Sequence, residues 1–132
     1  MARVKPPVLL VDDDDDDLFA LEVTLEPLGL EIVKAGSGDD ALRMILRREF
    51  AIVIMDLMMP GMNGFEVCSM IRTRDRCRDL PVVILTGFDE EQSKEIAGYR
   101  PGEFEFMRKP VLPEVLRARV ADSVARFSPV NR

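Results

Sequence analysis

Residues 51–64 read AIVIMDLMMPGMNG, and the reading of this stretch decides the fold. The apolar run Ala51-Ile52-Val53-Ile54-Met55 stops on one carboxylate, Asp56, and Pro60, Gly61, Asn63 and Gly64 then force a loop. A short β-branched run bounded by turn residues reads as a strand buried on both faces, as in parallel sheets. Asp56 is therefore expected at the carboxyl end of a central strand, where open α/β sheets place their ligands. An acid after a strand can also be a helix cap or a solvated turn, so the other strand ends carry the decision.

Toward the N-terminus, Val8-Leu9-Leu10-Val11 is a second apolar run, and it ends in six consecutive aspartates, Asp12 to Asp17. Leu18, Leu21, Leu25 and Leu28 recur at helical spacing, and the helix closes before Gly29, with Pro27 making its last turn irregular. Leu30 to Ala35 reads as the next strand. Ser37-Gly38-Asp39-Asp40 has the form of a capping box with Asp in the Glu position, and Leu42, Ile45 and Leu46 give the following helix its buried stripe.

Toward the C-terminus, Phe65, Cys68 and Ile71 mark a helix extending into the charged run Arg72 to Asp79. Pro81 opens the strand Val82-Val83-Ile84-Leu85, which ends at Thr86-Gly87. A polar helix is expected from about Asp89 to Tyr99, stopped by Pro101-Gly102. Phe104-Glu105-Phe106-Met107 alternates as a fifth strand and runs into Arg108-Lys109-Pro110. Val115, Leu116, Val120 and Val124 form the apolar face of a last helix, and the tail from Ser128 is expected to fray. Five strand–helix units in strict alternation predict a doubly wound parallel α/β sheet with helices on both faces. One domain is expected over 1–132, with its core in about residues 7–127.

Composition bounds the chemistry. At 132 residues and 47% hydrophobic the chain can bury a core. No apolar run approaches the roughly 20 residues of a membrane span, and MARVKPP lacks the apolar segment of a secretory signal. A net charge of −6 argues against direct nucleic-acid binding. With no histidine and only Cys68 and Cys77, a structural zinc site is excluded, and two free thiols in a reducing cytoplasm are expected.

The strand ends collect Asp12, Asp13, Asp56, Thr86 and Lys109 on one sheet edge. Like carboxylates about 4 Å apart cost on the order of 4 kcal/mol per pair at an effective dielectric near 20, so the cluster needs neutralising. Oxygen-only ligands select a hard cation, and Mg²⁺ is the abundant one. Carboxylate, hard metal, ammonium and hydroxyl together suit a phosphoryl group on a carboxylate nucleophile. For Asp14 to Asp17 the reading is a solvated helix start, since negative charge suits a helix N-terminus. An EF-hand fits poorly, because its Gly position would hold Asp17 and its final Glu position Val23.

Four ordered motifs, Val8-Leu9-Leu10-Val11-Asp12-Asp13, Met55 to Gly64, Ile84-Leu85-Thr86-Gly87 and Lys109-Pro110, resemble the receiver domain of two-component response regulators over essentially the whole chain. The resemblance implies a flavodoxin-like sheet in the order 2-1-3-4-5 flanked by five helices. It implies Asp56 as phosphoacceptor, and Mg²⁺ on Asp13, Asp56 and the Met58 carbonyl, with Asp12 acting through water. It further implies Thr86 and Lys109 on the phosphoryl oxygens, a cis Lys109-Pro110 peptide, and a switch through Thr86 and Phe106. The phosphodonor would be a phosphohistidine on a sensor histidine kinase or a histidine phosphotransfer protein. The chemistry would be confined to self-phosphorylation and autodephosphorylation. Gly98 to Gly102 and Pro113 to Val120 are similar to receivers attached to hybrid sensor kinases. Phe106 stands where the family usually has Tyr, Gly87 where Ala is common, and Pro101 and Glu103 replace smaller residues. Two rival readings remain. One is a haloacid-dehalogenase-type phosphatase using Asp12 with Asp14, Thr86 and Lys109. The other is a pseudo-receiver that works without phosphate.

Overall fold

The computed structural model describes residues 5–128. Five parallel strands stand in the order β2-β1-β3-β4-β5. They are β1 Val8–Val11, β2 Ile32–Ala35, β3 Ile52–Asp56, β4 Val82–Thr86 and β5 Glu105–Arg108. Five helices alternate with them: α1 Asp15–Leu25, α2 Gly38–Arg47, α3 Gly64–Arg72, α4 Glu90–Ser93 and α5 Pro113–Arg126. The period-two geometry of a strand divides the core in two. Leu9, Val11, Val53, Met55 and Ile84 face Ala41, Ile45, Phe65, Val67 and Ile71 of α2 and α3. Their neighbours Val8, Leu10, Ile52, Ile54, Val83 and Leu85 face Leu18 and Leu25 of α1 and Leu116 and Val120 of α5. Both faces of the central strands are thus apolar, as the unbroken runs imply.

The helix ends follow local chemistry. Asp14 caps α1, its Oδ1 accepting the amides of Asp16 and Asp17. Pro27 lies in a 3-10 turn, Glu26–Leu28, closed by Gly29 at φ 64°. Ser37 accepts the Asp40 amide as expected, whereas the Asp40 carboxylate pairs with Arg43.

Several sequence expectations need correction. Leu46 is 44% exposed, and α2 instead buries Gly38, Ala41 and Ile45. The reason is close packing on α3: a Cβ on Gly38 would lie 2.5 Å from Val67 Cγ2, so the face with the smallest residues turns inward. The third helix enters the charged run only at its first residue and stops at Arg72. The Arg72 guanidinium folds back and donates to the carbonyls of Cys77, Leu80 and Glu103, stabilising a 3-10 turn at Asp75–Cys77 in place of helix. The fourth helix spans only Glu90–Ser93. Beyond it the amides of Glu95, Ile96 and Tyr99 bond three residues back, a tighter winding that brings Ile96 and Tyr99 onto the core. β2 starts at Ile32, two residues after Leu30, and β5 is shifted to Glu105–Arg108, leaving Phe104 to pack on Phe65 at 4.7 Å. On α5 the buried face is Leu116, Val120 and Ser123, with Val124 partly covered and Val115 exposed beside Leu112. Cys68 and Cys77 are both buried and free. Beyond Ser128, which is exposed, the expected fray of the tail lies outside the described residues.

The loop after β3 is pinned by its last glycine. The Gly64 amide donates to Leu57 O at 2.8 Å, and a Cβ on Gly64 would lie 2.8 Å from Asp56 O and 3.2 Å from Leu57 Cα. These neighbours are backbone and cannot rotate away. Gly64→Ala is expected to cost roughly 1–3 kcal/mol of stability in urea unfolding. A loss below about 0.5 kcal/mol, the range of an ordinary surface change, would show that the start of α3 yields easily.

Candidate functional site

Parallel strands bring their carboxyl ends to one edge, and there Asp12, Asp13 and Asp56 each offer an oxygen within 4.8 Å of the others. Asp12 follows β1, and its amide extends the ladder by donating to Ala35 O at 3.1 Å. Its side chain is 3% exposed, and Oδ1 accepts the Asp14 amide at 3.0 Å. Burial pushes the Asp12 carboxyl up from an ordinary 3.8 to about 6. The Asp14 amide opposes that rise, and the nearby Asp56 and Asp17 charges add to it. Asp13 is exposed at the mouth.

Asp56 is the last residue of β3, and its side chain is 14% exposed. Lys109 reaches it from the end of β5, where the Lys109 amide donates to Thr86 O at 2.8 Å. The Lys109 Nζ donates to Asp56 Oδ1 at 2.7 Å. Burial alone would lower the Lys109 ammonium; the hydrogen bond and charge of Asp56 overcome it and hold Lys109 above its usual range. The Lys109-Pro110 peptide is cis, as expected. Thr86 ends β4, buried, and its Oγ1 accepts the Phe88 amide at 3.1 Å, which leaves the hydroxyl proton to donate. Met58 follows in the loop with its side chain 52% exposed. Phe106 is half-buried on β5 beside Ile84 and belongs to neither core cluster among the described residues.

The fold therefore gathers Asp12, Asp13, Asp56 and Lys109, with Thr86 at the next strand end. Asp14 to Asp17 remain exposed at the start of α1, as expected, and the Asp17 charge also reaches Asp12 and Lys109. At 4.8 Å and an effective dielectric near 20, each carboxylate pair still repels by about 3.5 kcal/mol. One ammonium cannot offset three such pairs. Three hard oxygen donors with no sulfur or imidazole fit a small divalent cation such as Mg²⁺. Two contributors escaped the sequence reading. Gly64, noted only as a loop glycine, fixes the backbone of Asp56, and the Phe88 amide occupies Thr86. A glycine opening a helix eight residues after a strand-end acid is a signal for the first; the second depends on the loop conformation alone.

The family model described as "Response regulator receiver domain" matches residues 8–121. The chain is 36% identical to the transcriptional regulatory protein AfsQ1 of Streptomyces coelicolor over 115 residues, covering 87% of this chain and 49% of that protein. It is 33% identical to PilH of Pseudomonas aeruginosa, covering 88% of this chain and 92% of that one. The receiver domain of the Francisella response regulator 1452 superposes with a TM-score of 0.78 at 27% identity, covering 92% and 98% of the two chains. The chain thus spans about half of one relative and most of another.

Asp12 generates a pH prediction. Because its folded carboxyl holds a proton up to about pH 6 while an unfolded one releases it near 3.8, stability is lost as pH rises through that window. The displacement corresponds to roughly 3 kcal/mol at most. With a chelator present, Asp12→Asn, which keeps the acceptor for the Asp14 amide, should raise the unfolding free energy at pH 7.5 by 1–3 kcal/mol, roughly, and change little at pH 4. Equal effects at both pH values would show that the buried charge is not the cause.

Proposed function

The chain belongs to the response regulator receiver domain family, which places it in two-component signalling, and we propose that it takes a phosphoryl group onto Asp56. The observation that carries this reading is the Lys109 ammonium 2.7 Å from Asp56 Oδ1, inside a carboxylate triad at the strand ends. An oxygen of Asp56 attacks phosphorus of a phosphohistidine on a histidine kinase or histidine phosphotransfer protein. The P–N bond breaks, the imidazole leaves with a proton, and an acyl phosphate remains on Asp56. Lys109 exchanges its bond to the carboxylate for one to a phosphoryl oxygen, and the Thr86 hydroxyl donates to another. Mg²⁺ on Asp13, Asp56 and the Met58 carbonyl, with Asp12 behind, would neutralise the oxygens on which charge develops.

Thr86 turning toward that oxygen gives up the Phe88 amide, and Phe106, which has no hydroxyl to satisfy, is free to move toward the vacated space. The face of α4, β5 and α5 is then biased for a partner. Its proposed setting is the cytoplasm, and its net charge of −6 disfavours contact with nucleic-acid phosphates. The exposure of Asp56 against the burial of Asp12 favours Asp56 as nucleophile over the phosphatase reading.

Incubation with Mg²⁺ and acetyl phosphate should add one acid-labile phosphoryl group at Asp56, located by mass spectrometry and absent from Asp56→Asn. Equal labelling of the variant would overturn the assignment. Met58 has no group to orient an attacking water. Met58→Asn should therefore speed loss of the label several-fold, within the gain expected from positioning alone; an unchanged decay would remove that role.

A further inference from the structure

Asn63 sits in the loop that leaves Asp56, at the cap of α3. Its Oδ1 accepts the Glu66 amide at 3.0 Å, and the Glu66 carboxylate accepts the Asn63 amide at 3.0 Å. With Oδ1 so committed, Nδ2 faces away from the helix, and it donates to Ala97 O at 2.9 Å, across 34 residues of sequence. The neighbouring Gly98, at φ 88°, lies against the same cap: a Cβ there would be 3.0 Å from Glu66 Cγ and 3.1 Å from Glu66 N. Capping α3 requires only an acceptor, which Asp or Ser supplies as well. The donor half of Asn63 serves Ala97.

Both ends of this bond are tied to something. Toward the site, Asn63 precedes Gly64, whose amide holds Leu57 O and whose Cα leaves no room for a side chain against Asp56 O. The cap therefore follows any displacement of the Asp56 backbone. Away from the site, Ala97 lies between Ile96 and Tyr99, both packed on the core. The Tyr99 ring meets Phe65 at 5.4 Å and Phe104 at 5.9 Å, and Phe104 leads directly into β5.

We propose that Asn63 is a positioning residue which couples the Asp56 loop to residues 94–104 through its bond to Ala97. A change at Asp56 on phosphorylation is carried by this bond to the face of α4 and β5. The coupling rests on the phosphoacceptor reading and adds a route separate from Thr86 and Phe106.

Asn63→Asp and Asn63→Ser test it, because each keeps an acceptor for the Glu66 amide and neither can donate to Ala97 as the carboxamide does. Amide hydrogen exchange at 96–104 should quicken about fivefold in both variants, the equivalent of one neutral hydrogen bond, with Val67 and Cys68 unchanged. On saturation with Mg²⁺ and beryllofluoride, the amide shifts at 96–104 seen in the wild type should fall by about half or more, while those at Asp13, Asp56 and Lys109 persist. Unchanged exchange at 96–104, equal quickening at Val67, lost site shifts, or remote shifts at full size would each overturn the coupling. A wild type with no beryllofluoride shifts at Asp56 would remove the phosphoacceptor reading and the coupling together. A responsive wild type with fully transmitting variants would remove the coupling alone.

Discussion

Three carboxylates held within 4.8 Å of one another at the end of a buried sheet are the constraint around which this molecule is arranged. Parallel pairing of β1 and β3 brings the aspartates together, since Val11 pairs with Met55 and each is followed by an aspartate. The interior cannot absorb the charge. What the chain supplies is one ammonium, Lys109, delivered from two strands away and fixed by its own amide on the last carbonyl of β4. Burial raises the Asp12 carboxyl and the nearby Asp56 charge adds to the rise, and a divalent cation bound as proposed would offset the clustered charge.

Under the proposed function, stability and chemistry pull against each other at this edge. A buried Asp12 destabilises the fold near neutral pH, and under the proposed function the same carboxylate would help to hold a cation beside the phosphoryl group. The rest of the structure carries that liability on two apolar layers in which the central strands are covered on both faces. Strain of this kind is expected where a site has been kept for chemistry rather than for packing.

The start of α3 joins the site to the rest of the domain. Gly64 lets the helix approach the Asp56 backbone, and the Asn63–Glu66 capping box closes its first turn. One more hydrogen bond from the same asparagine reaches the chain between β4 and β5. Farther along α3, Arg72, Cys68 and Ser69 all bind Glu103, through its carbonyl or its carboxylate. The segment before β5 is thus held at two points by one helix, although its own helical content is a single turn.

The sequence by itself determined the strands, their parallel order by resemblance, and the residues at their ends. Apolar runs stopping on Asp12, Asp56 and Thr86 leave few other arrangements, because both faces of such a strand must be covered and its polar end must reach water. It also determined the caps at Ser37 and Gly29, whose chemistry is local. What it could not determine were features fixed by contacts between distant residues. Leu46 faces solvent because Gly38 packs on Val67. The third helix ends at Arg72 because the guanidinium finds carbonyls at 77, 80 and 103. The fourth helix is short because Ile96 and Tyr99 reach the core only through tighter turns. Each outcome depends on side-chain volume or hydrogen-bond partners tens of residues away, which periodicity within a window does not contain. The same holds for Asn63, which sequence marks as a turn residue and only the tertiary structure places against Ala97.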